Sequence, residues 1–239
     1  MTVSRLKAAL KSICSGFLKK KAVLDTYDPE SFFRERHQKY GFDLRSVGNC
    51  TLSHEENRRQ YEKAGQVVLQ LLKQELSGLE TRSILDIGCG TGFYAGLLRD
   101  AGATNYLGID IMGDRFGDLL KEYPSFSFRK CDVTSEDLDG RFEIIIMIDV
   151  TQHIVDDNKF SAAMHNIRSH LADDGVFVVT SWLSSKWTRR TFYEVARPMC
   201  YYTREFAGCR FSEPVPFRDK FIFSIRKSLP QVQVSETGR

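Results

Sequence analysis

The amino-acid sequence predicts an α/β domain built on a mainly parallel β-sheet with helices on both of its faces. From residue 83 onward, short apolar runs of strand length alternate with longer segments of helical periodicity. A glycine-rich turn joins the first apolar run to the segment that follows it. The chain has 239 residues, of which 42% are hydrophobic, and this size and composition suit one such domain.

The first 24 residues predict a basic amphipathic helix. Their apolar residues recur at steps of three and four, and they include six Lys or Arg residues and no acid. The favoured interpretation is that this helix packs on its own domain or dimerises, and contact with a partner protein or a membrane surface is the alternative. Lys11 interrupts the apolar stretch and no cleavage site of small residues follows, so we expect no targeting signal.

Residues 25–50 predict an aromatic-rich cap or lid that precedes a domain at residues 51–227. At Ser53 a Ser-x-x-Glu capping box predicts the start of a helix. Helical spacing of apolar residues continues to about Leu76, before Gly78 ends the helix. The cap is therefore expected to lead directly into the first helix of the domain.

The remaining elements follow from the same patterns. A βαβ unit is predicted from Ser83, with its first strand ending at Ile87, its helix at about Ala101 and its second strand at Asp110. Further strands are predicted at residues 126–130, 143–148, 176–182 and 220–227, and further helices at residues 115–123 and 158–171. Residues 228–239 are too polar to pack and predict a disordered tail.

Charge and cysteine content restrict the classes of function. The net charge is +3, but the basic N-terminus accounts for more than this excess, which leaves the rest of the chain slightly acidic. A folded domain that grips nucleic acid usually carries a basic surface, so nucleic acid is disfavoured as a substrate. The six cysteines are scattered without a C-x-x-C pair, which favours the cytoplasm and predicts no metal site. No apolar run is long enough to span a membrane.

The most informative motif is Asp86-Ile87-Gly88-Cys89-Gly90-Thr91-Gly92, which lies between a predicted strand and a predicted helix. Glycines permit a sharp turn and close approach of a ligand, and the start of the helix offers free backbone N–H groups. In a dinucleotide-binding turn the third glycine stands three positions after the second, where this sequence has Phe93. A nicotinamide-dependent oxidoreductase is therefore the poorer interpretation.

The segment from Leu85 to Gly92 resembles the first motif of class I S-adenosylmethionine-dependent methyltransferases. The resemblance covers roughly residues 50–227. It implies a Rossmann-like, mostly parallel seven-stranded sheet with helices on both faces and an N-terminal helical cap. It also implies S-adenosylmethionine as the cofactor.

The resemblance further implies roles for residues at matching positions. Asp86 and the glycine turn would hold the methionine portion of the cofactor, and Asp110 would accept hydrogen bonds from both ribose hydroxyls. Asp132 and Val133 would meet the adenine, with local capping as the alternative for Asp132, and Asp149 would lie near the sulfonium. The implied cofactor-binding set is Asp86, Gly88, Cys89, Gly90, Gly92, Asp110, Ile111, Asp132, Val133 and Asp149.

His153 is the candidate general base. A methyl group on a sulfonium is already activated, so the protein mainly has to align the reactants and exclude water. A hydroxyl or ammonium acceptor must also lose a proton, which suits an imidazole. An anionic acceptor needs no base, and in that case His153 would only shape the pocket.

Acceptor-binding residues are expected in the cap and after the fifth strand, where aromatic residues and arginines would suit a sugar or an anionic small molecule. Simple packing of the cap is the alternative. The candidates are Tyr27, Tyr40, Trp182, Arg189, Arg190 and Tyr201. The sequence thus favours methyl transfer to an O or N acceptor of a small molecule or glycan precursor. Methylation of protein or RNA, and cofactor binding without catalysis, are the alternatives.

Overall fold

A computed structural model describes residues 27–227 of the chain. Its helices are α1 (Pro29–Tyr40), α2 (His54–Glu75), α3 (Phe93–Asp100), α4 (Phe116–Glu122), α5 (Asp157–His170) and α6 (Met199–Glu205). Its strands are β1 (Ser83–Ile87), β2 (Asn105–Asp110), β3 (Ser127–Lys130), β4 (Phe142–Met147), β5 (Leu171–Ser181), β6 (Thr188–Thr191), β7 (Glu194–Ala196), β8 (Cys209–Phe211), β9 (Val215–Phe217) and β10 (Lys220–Lys227). The predicted basic helix at residues 1–24 and the predicted tail at residues 228–239 lie outside the described residues.

The main sheet has the strand order β3-β2-β1-β4-β5-β10-β8. The first five of these strands are parallel, and β10 runs antiparallel to both of its neighbours. Strand β9 pairs with the first residues of β10 and β8 with its last, so these two short strands share one edge. The sheet therefore has seven positions across, which confirms the predicted mostly parallel, Rossmann-like fold.

Each face of the sheet carries its own hydrophobic core. Adjacent residues of a strand point to opposite faces, so Ile84 packs with α2 and α3, whereas Leu85 packs with α5 and α6. On the first face, Val68 and Leu98 are fully buried, and on the second Phe160 is fully buried. The predicted helical layers on both faces are confirmed.

Helix α2 begins where the capping box predicts. The Ser53 hydroxyl accepts a hydrogen bond from the Glu56 backbone N–H at 3.2 Å, and the Glu56 carboxylate accepts one from the Ser53 backbone N–H at 2.8 Å. The buried face of α2 includes Tyr61. This helix therefore positions a tyrosine beside the ends of the central strands.

The segment after β5 differs most from the sequence-based expectation. It contains an antiparallel hairpin of β6 and β7, which the apolar pattern did not predict because most of β6 is exposed. At its base lies Arg197, which is 1% exposed and ion-paired to Asp157 at 2.8 Å. Within residues 27–227 no helix is long and apolar enough to cross a membrane.

Candidate active site

A cavity of about 600 Å³ opens at the carboxyl ends of β1, β2, β3 and β4. In open parallel sheets, ligands bind beyond this edge. The segment after each of these strands contributes to the wall, and so do α1 and Tyr61 of α2. This cavity is consequently the candidate active site.

The glycine turn after β1 forms the floor of the cavity. Gly88 and Gly90 have φ angles of 77° and 52°, a region that other residues rarely adopt. A Cβ atom on Gly88 would lie 2.3 Å from a methyl carbon of Val150, and one on Gly90 would lie 3.1 Å from Val47. Gly88, Cys89 and Gly90 line the cavity, whereas Gly92 begins α3 and faces Leu119.

Asp110 joins the end of β2 to this turn. One of its carboxylate oxygens accepts a hydrogen bond from the Gly90 N–H at 3.0 Å, and the other accepts one from the Met112 N–H at 2.8 Å. Burial raises the pKa of the Asp110 carboxyl group, while these N–H donors oppose the shift. Asp110 and Ile111 both line the cavity. Each carboxylate oxygen can still accept a further hydrogen bond, as a vicinal diol would require.

Asp86 lies under the turn and does not line the cavity. Its side chain is 1% exposed and accepts a hydrogen bond from the Tyr106 hydroxyl at 2.7 Å. Burial raises the pKa of Asp86 to about 7. Asp86 is thus buried in β1, close to the turn in sequence, and does not reach the cavity itself.

The segment after β3 forms the far wall. Asp132 and Val133 line the cavity. The Asp132 carboxylate accepts a hydrogen bond from the Thr134 N–H at 2.9 Å, and the Glu136 carboxylate accepts one from the Asp132 N–H at 2.7 Å. Asp132 therefore caps its own turn and also faces the cavity, so the two interpretations offered by the sequence are compatible.

Asp149, after β4, lines the cavity and has a φ of 60°. Its carboxylate is ion-paired to Arg218 and to Lys220, whose Nζ lies 3.2 Å away. Lys220 approaches the buried Oδ1 and Arg218 approaches Oδ2, so each carboxylate oxygen has its own cation. Sequence reasoning missed both cations, since only the pairing of β10 beside β5 brings them to this edge of the sheet.

His153 lines the cavity at the end of a short 3-10 turn, Thr151–His153. Its Nδ1 lies 3.2 Å from the backbone oxygen of Tyr193, which can only accept, so Nδ1 carries the proton. Its Nε2 lies 3.2 Å from the amide nitrogen of Gln152 and accepts from it. Burial lowers the pKa of His153 to about 4, and the nearby charges of Lys220 and Arg36 act in the same direction. The imidazole is therefore neutral at pH 7.

An aromatic lid covers His153. It consists of Tyr27, Phe32 and Phe33 at α1 and Phe192 and Tyr193 in the β6–β7 hairpin. Phe32 stacks on Tyr193 at 4.5 Å between ring centroids, and Phe33 meets the His153 ring edge-on at 5.2 Å. The adjacent aromatic pair at positions 192 and 193 was the signal in the sequence that could have identified this half of the lid.

The six candidate acceptor-binding residues separate into two groups. Tyr27 and Arg189 line the cavity, whereas the other four do not. Trp182 donates a hydrogen bond to Asp219 at 3.0 Å and carries the Arg190 guanidinium 4.2 Å above its ring. Tyr40 lies under Lys39 and Arg45, and Tyr201 packs against Phe160 and Arg197.

The described residues fit the cofactor that the motif implies. Gly88 and Gly90 line the cavity in backbone conformations that glycine adopts readily, so the turn presents its backbone to a ligand. Asp110 presents two oxygens for a diol, and the Asp149 carboxylate lies in the cavity wall beyond the turn. No group of three or more His, Cys, Asp or Glu residues suited to a metal ion occurs between residues 27 and 227.

Comparison with known proteins agrees with this fit. A family model described as a methyltransferase domain matches residues 53–209. A search of curated proteins found no match.

Solved structures share the fold at low identity. An S-adenosylmethionine-dependent methyltransferase from Clostridium acetobutylicum ATCC 824 is 12% identical, with a TM-score of 0.56 over 71% of this chain and 92% of that one. The sugar N-methyltransferase KedS8 from Streptoalloteichus sp ATCC 53650 is 16% identical, with a TM-score of 0.56 over 70% and 88%. The N-methyltransferase NodS from Bradyrhizobium japonicum WM9, in complex with S-adenosylhomocysteine, is 21% identical, with a TM-score of 0.57 over 70% and 87%. Since the family model covers most of the chain, the protein belongs to the methyltransferase-domain family and is an S-adenosylmethionine-dependent methyltransferase.

Proposed function

We propose that this enzyme transfers the methyl group of S-adenosylmethionine to an oxygen or nitrogen atom of a small molecule or glycan precursor. The size of the cavity carries the proposal. Its volume of about 600 Å³ must hold both cofactor and acceptor, and the aromatic lid contributes Tyr27 and Phe33 to its wall. Small-ligand sites have volumes of about 300–1,000 Å³, so the space left beside the cofactor suits a small acceptor.

The proposed cofactor site follows the order of the strands. The turn at Gly88, Cys89 and Gly90 would hold the methionine portion, Asp110 with Ile111 the ribose, and Asp132 with Val133 the adenine. Asp149 would lie beyond the turn, near the sulfonium. Asp86 and Gly92 would act indirectly, by supporting the turn and by starting α3.

When bound, the cofactor supplies a methyl group that is already activated on a sulfonium. In this proposal His153 receives the proton of a hydroxyl or ammonium acceptor at Nε2, after Gln152 releases that nitrogen. A neutral imidazole is ready for this task at pH 7, but its low pKa makes it a weak base. Proton transfer from a hydroxyl should therefore accompany methyl transfer, because the oxygen becomes more acidic as its new bond to carbon forms. An ammonium must lose its proton before the transfer, because it has no lone pair with which to attack the methyl group.

Tyr27 and Arg189 are the proposed acceptor contacts, with Phe33 as an apolar wall. An aromatic face and a guanidinium together suit a sugar or another polar ring. Similar structures whose names describe a sugar N-methyltransferase and a 1,6-didemethyltoxoflavin-N1-methyltransferase support a small acceptor. The volume of the cavity disfavours protein or RNA as the acceptor. We also propose a cytoplasmic location, in keeping with the free cysteines among the described residues.

A methyl-transfer screen tests this function. The full chain is incubated with S-adenosylmethionine labelled in the methyl group and with panels of amino sugars, neutral sugars, heteroaromatic amines, unfolded protein and total RNA. We expect label in a small molecule, accompanied by S-adenosylhomocysteine. Label that enters only protein or RNA would contradict the proposal.

A further inference from the structure

Asp149 and Arg218, which form an ion pair, both have an unusual backbone conformation. Among the described residues these two are the non-glycine residues with a positive φ, at 60° and 54°. Asp149 follows β4, and Arg218 lies in the turn between β9 and β10. Such conformations cost free energy and tend to occur at functional sites. Two residues with strained backbone form one ion pair, which makes this pair a candidate for binding a ligand.

Arg218 also contacts the wall of the cavity. Its guanidinium lies 4.9 Å from the ring centre of Tyr61, and Tyr61, Tyr94 and Asp149 all line the cavity. Burial raises the pKa of the Tyr61 and Tyr94 hydroxyls, and the charge of Arg218 opposes the shift of both. The Tyr94 hydroxyl is buried without a hydrogen-bond partner, and the buried Oδ1 of Asp149 lies 3.2 Å from Lys220 Nζ. A charged pair and one unsatisfied polar atom, the Tyr94 hydroxyl, therefore meet at one end of the cavity.

The charge balance allows Arg218 to change its partner. Asp149 is paired with two cations, and the second, Lys220, is also held by Asp219 at 3.0 Å and lies 4.5 Å from the Trp182 ring centre. If Arg218 turns to another anion, Lys220 still compensates the Asp149 carboxylate. The side chain of Arg218 is 19% exposed, so it is not locked in a sealed core.

The order of the strands indicates which ligand group reaches this end. In the proposed function, adenine lies at β3, ribose at β2 and the methionine portion at the β1 turn. The next strand in the sheet is β4, followed by β5 and β10. The α-amino and α-carboxylate groups of the methionine portion therefore point toward Asp149 and the β9–β10 turn.

We propose that Arg218 binds the α-carboxylate of the cofactor and that Asp149 binds its α-ammonium, so that the ion pair opens to accept a zwitterion. This inference rests on the proposed placement of the methionine portion. A guanidinium matches a carboxylate with two parallel hydrogen bonds, and a carboxylate matches an ammonium. The resemblance to methyltransferases did not indicate Arg218, which lies beyond the residues that the family model matches.

Calorimetry with three ligands tests the inference. S-adenosylhomocysteine carries both charged groups, its decarboxylated analogue keeps only the ammonium, and 5′-methylthioadenosine has neither. Arg218→Met should weaken S-adenosylhomocysteine binding roughly 10- to 100-fold, the loss expected for a charge-assisted contact. Binding of the other two ligands should stay within about threefold. The effects of the variant and of removing the carboxylate should not add, because both remove the same contact.

Arg218→Lys should retain part of the affinity. Arg210→Met is the matched control, since Arg210 is 58% exposed and pairs with Glu75 rather than with a residue of the cavity wall. Equal losses for all three ligands, or an unchanged affinity for S-adenosylhomocysteine, would overturn the inference. If Arg218→Met does not fold, the wild-type protein still decides, because equal affinity for S-adenosylhomocysteine and its decarboxylated analogue rules out a carboxylate contact. Wild-type protein that binds none of the three ligands would instead refute the proposed cofactor site.

Discussion

The Asp110 side chain makes several contacts at the candidate active site. Its carboxylate already accepts hydrogen bonds from the N–H groups of Gly90 and Met112. In the proposed function it accepts two more from the ribose. Because of this concentration of contacts, we expect cofactor affinity to depend strongly on Asp110.

We predict that Asp110→Ala lowers the affinity for S-adenosylhomocysteine by roughly 30- to 1000-fold, since losing a two-pronged contact to a carboxylate costs about 2–4 kcal/mol. Isothermal calorimetry measures the change. Asp174→Ala, at an exposed position, is the control and should have no effect. Unchanged affinity in Asp110→Ala would remove this residue from the cofactor site.

His153 should make the stability of the protein depend on pH. Burial lowers its pKa from 6.5 to about 4. Between these values the unfolded chain binds a proton that the folded chain does not, so the free energy of unfolding should fall as the pH drops from about 6.5 toward 4. Above 6.5 this contribution is complete and constant.

The loss expected from His153 between pH 7 and pH 5 is on the order of 2 kcal/mol. In His153→Gln the difference in the free energy of unfolding between pH 7 and pH 5 should be smaller by that amount. Urea unfolding at both pH values measures this difference. His37→Gln is a useful comparison, because burial lowers the pKa of His37 as well and the two slopes should be separable. An identical slope in wild-type protein and His153→Gln would mean that His153 is not buried in its neutral form.

The same residue carries the prediction about catalysis. If His153 is the general base, His153→Ala should lower kcat by about 10²- to 10⁴-fold while the affinity for S-adenosylhomocysteine barely changes. Because the pKa of His153 is about 4, its titration should leave the rate flat between pH 6 and 8. A loss of less than tenfold would assign His153 to shaping the pocket.

Local sequence signals identified some of these residues and not others. The glycine turn and Asp110 belong to one motif whose spacing can be seen within about 25 residues of sequence. Asp149 and Arg218 are far apart in sequence, and only the pairing of β10 with β5 brings them to the same edge. Trp182, Arg190 and Tyr201 have the right chemistry for a ligand, but Arg190 packs on Trp182, and Tyr201 packs against Phe160 and Arg197. Composition alone could not distinguish those two outcomes.

At the scale of elements, the loop between β4 and α5 carries His153, the proposed general base. Arg197, at the base of the β6–β7 hairpin, donates hydrogen bonds to the backbone oxygens of Thr151 and Ile154 at 3.3 and 2.7 Å. It thereby fixes both ends of the turn that carries His153. Short apolar strands and the capped α2 were predictable from local pattern, whereas this hairpin was not, since its β6 strand has no continuous apolar face.

We predict that Arg197→Met lowers the free energy of unfolding by about 2–4 kcal/mol, because two backbone oxygens would lose their donors inside the protein. Guanidinium-chloride unfolding measures this loss. Arg204→Met is the control, because Arg204 is 62% exposed and should change stability by no more than about 0.5 kcal/mol. Equal effects of the two substitutions would show that Arg197 does not brace the loop.

At the scale of the whole molecule, the domain and its cap are specified by different features of the sequence. The family model begins at residue 53, whereas six residues that line the cavity lie between Tyr27 and His37. The α/β fold was predictable because hydrophobic periodicity fixes which face of each element is buried. How the cap sits on the sheet depends on aromatic contacts across long sequence distances, which periodicity does not encode.

Two truncations should separate the basic N-terminus from the cap. We expect removal of residues 1–20 to leave the affinity for S-adenosylhomocysteine within a few-fold, because the described cavity wall begins at Tyr27. Removal of residues 1–41 also deletes α1 and should abolish methyl transfer to a small acceptor. Calorimetry and the methyl-transfer assay measure both effects. Loss of cofactor binding in the shorter truncation would show that the N-terminus helps to build the site.

The division of one sheet edge between β8 and β9 bears on how the protein behaves at high concentration. An unpaired edge strand invites the edge of another molecule to extend the sheet, which is a route to aggregation. Here that edge consists of two strands of three residues each, and Pro216 within β9 has no N–H to donate. The opposite edge, β3, has four residues and ends in Arg129 and Lys130. Both edges within the described residues are therefore poor templates for intermolecular β-pairing.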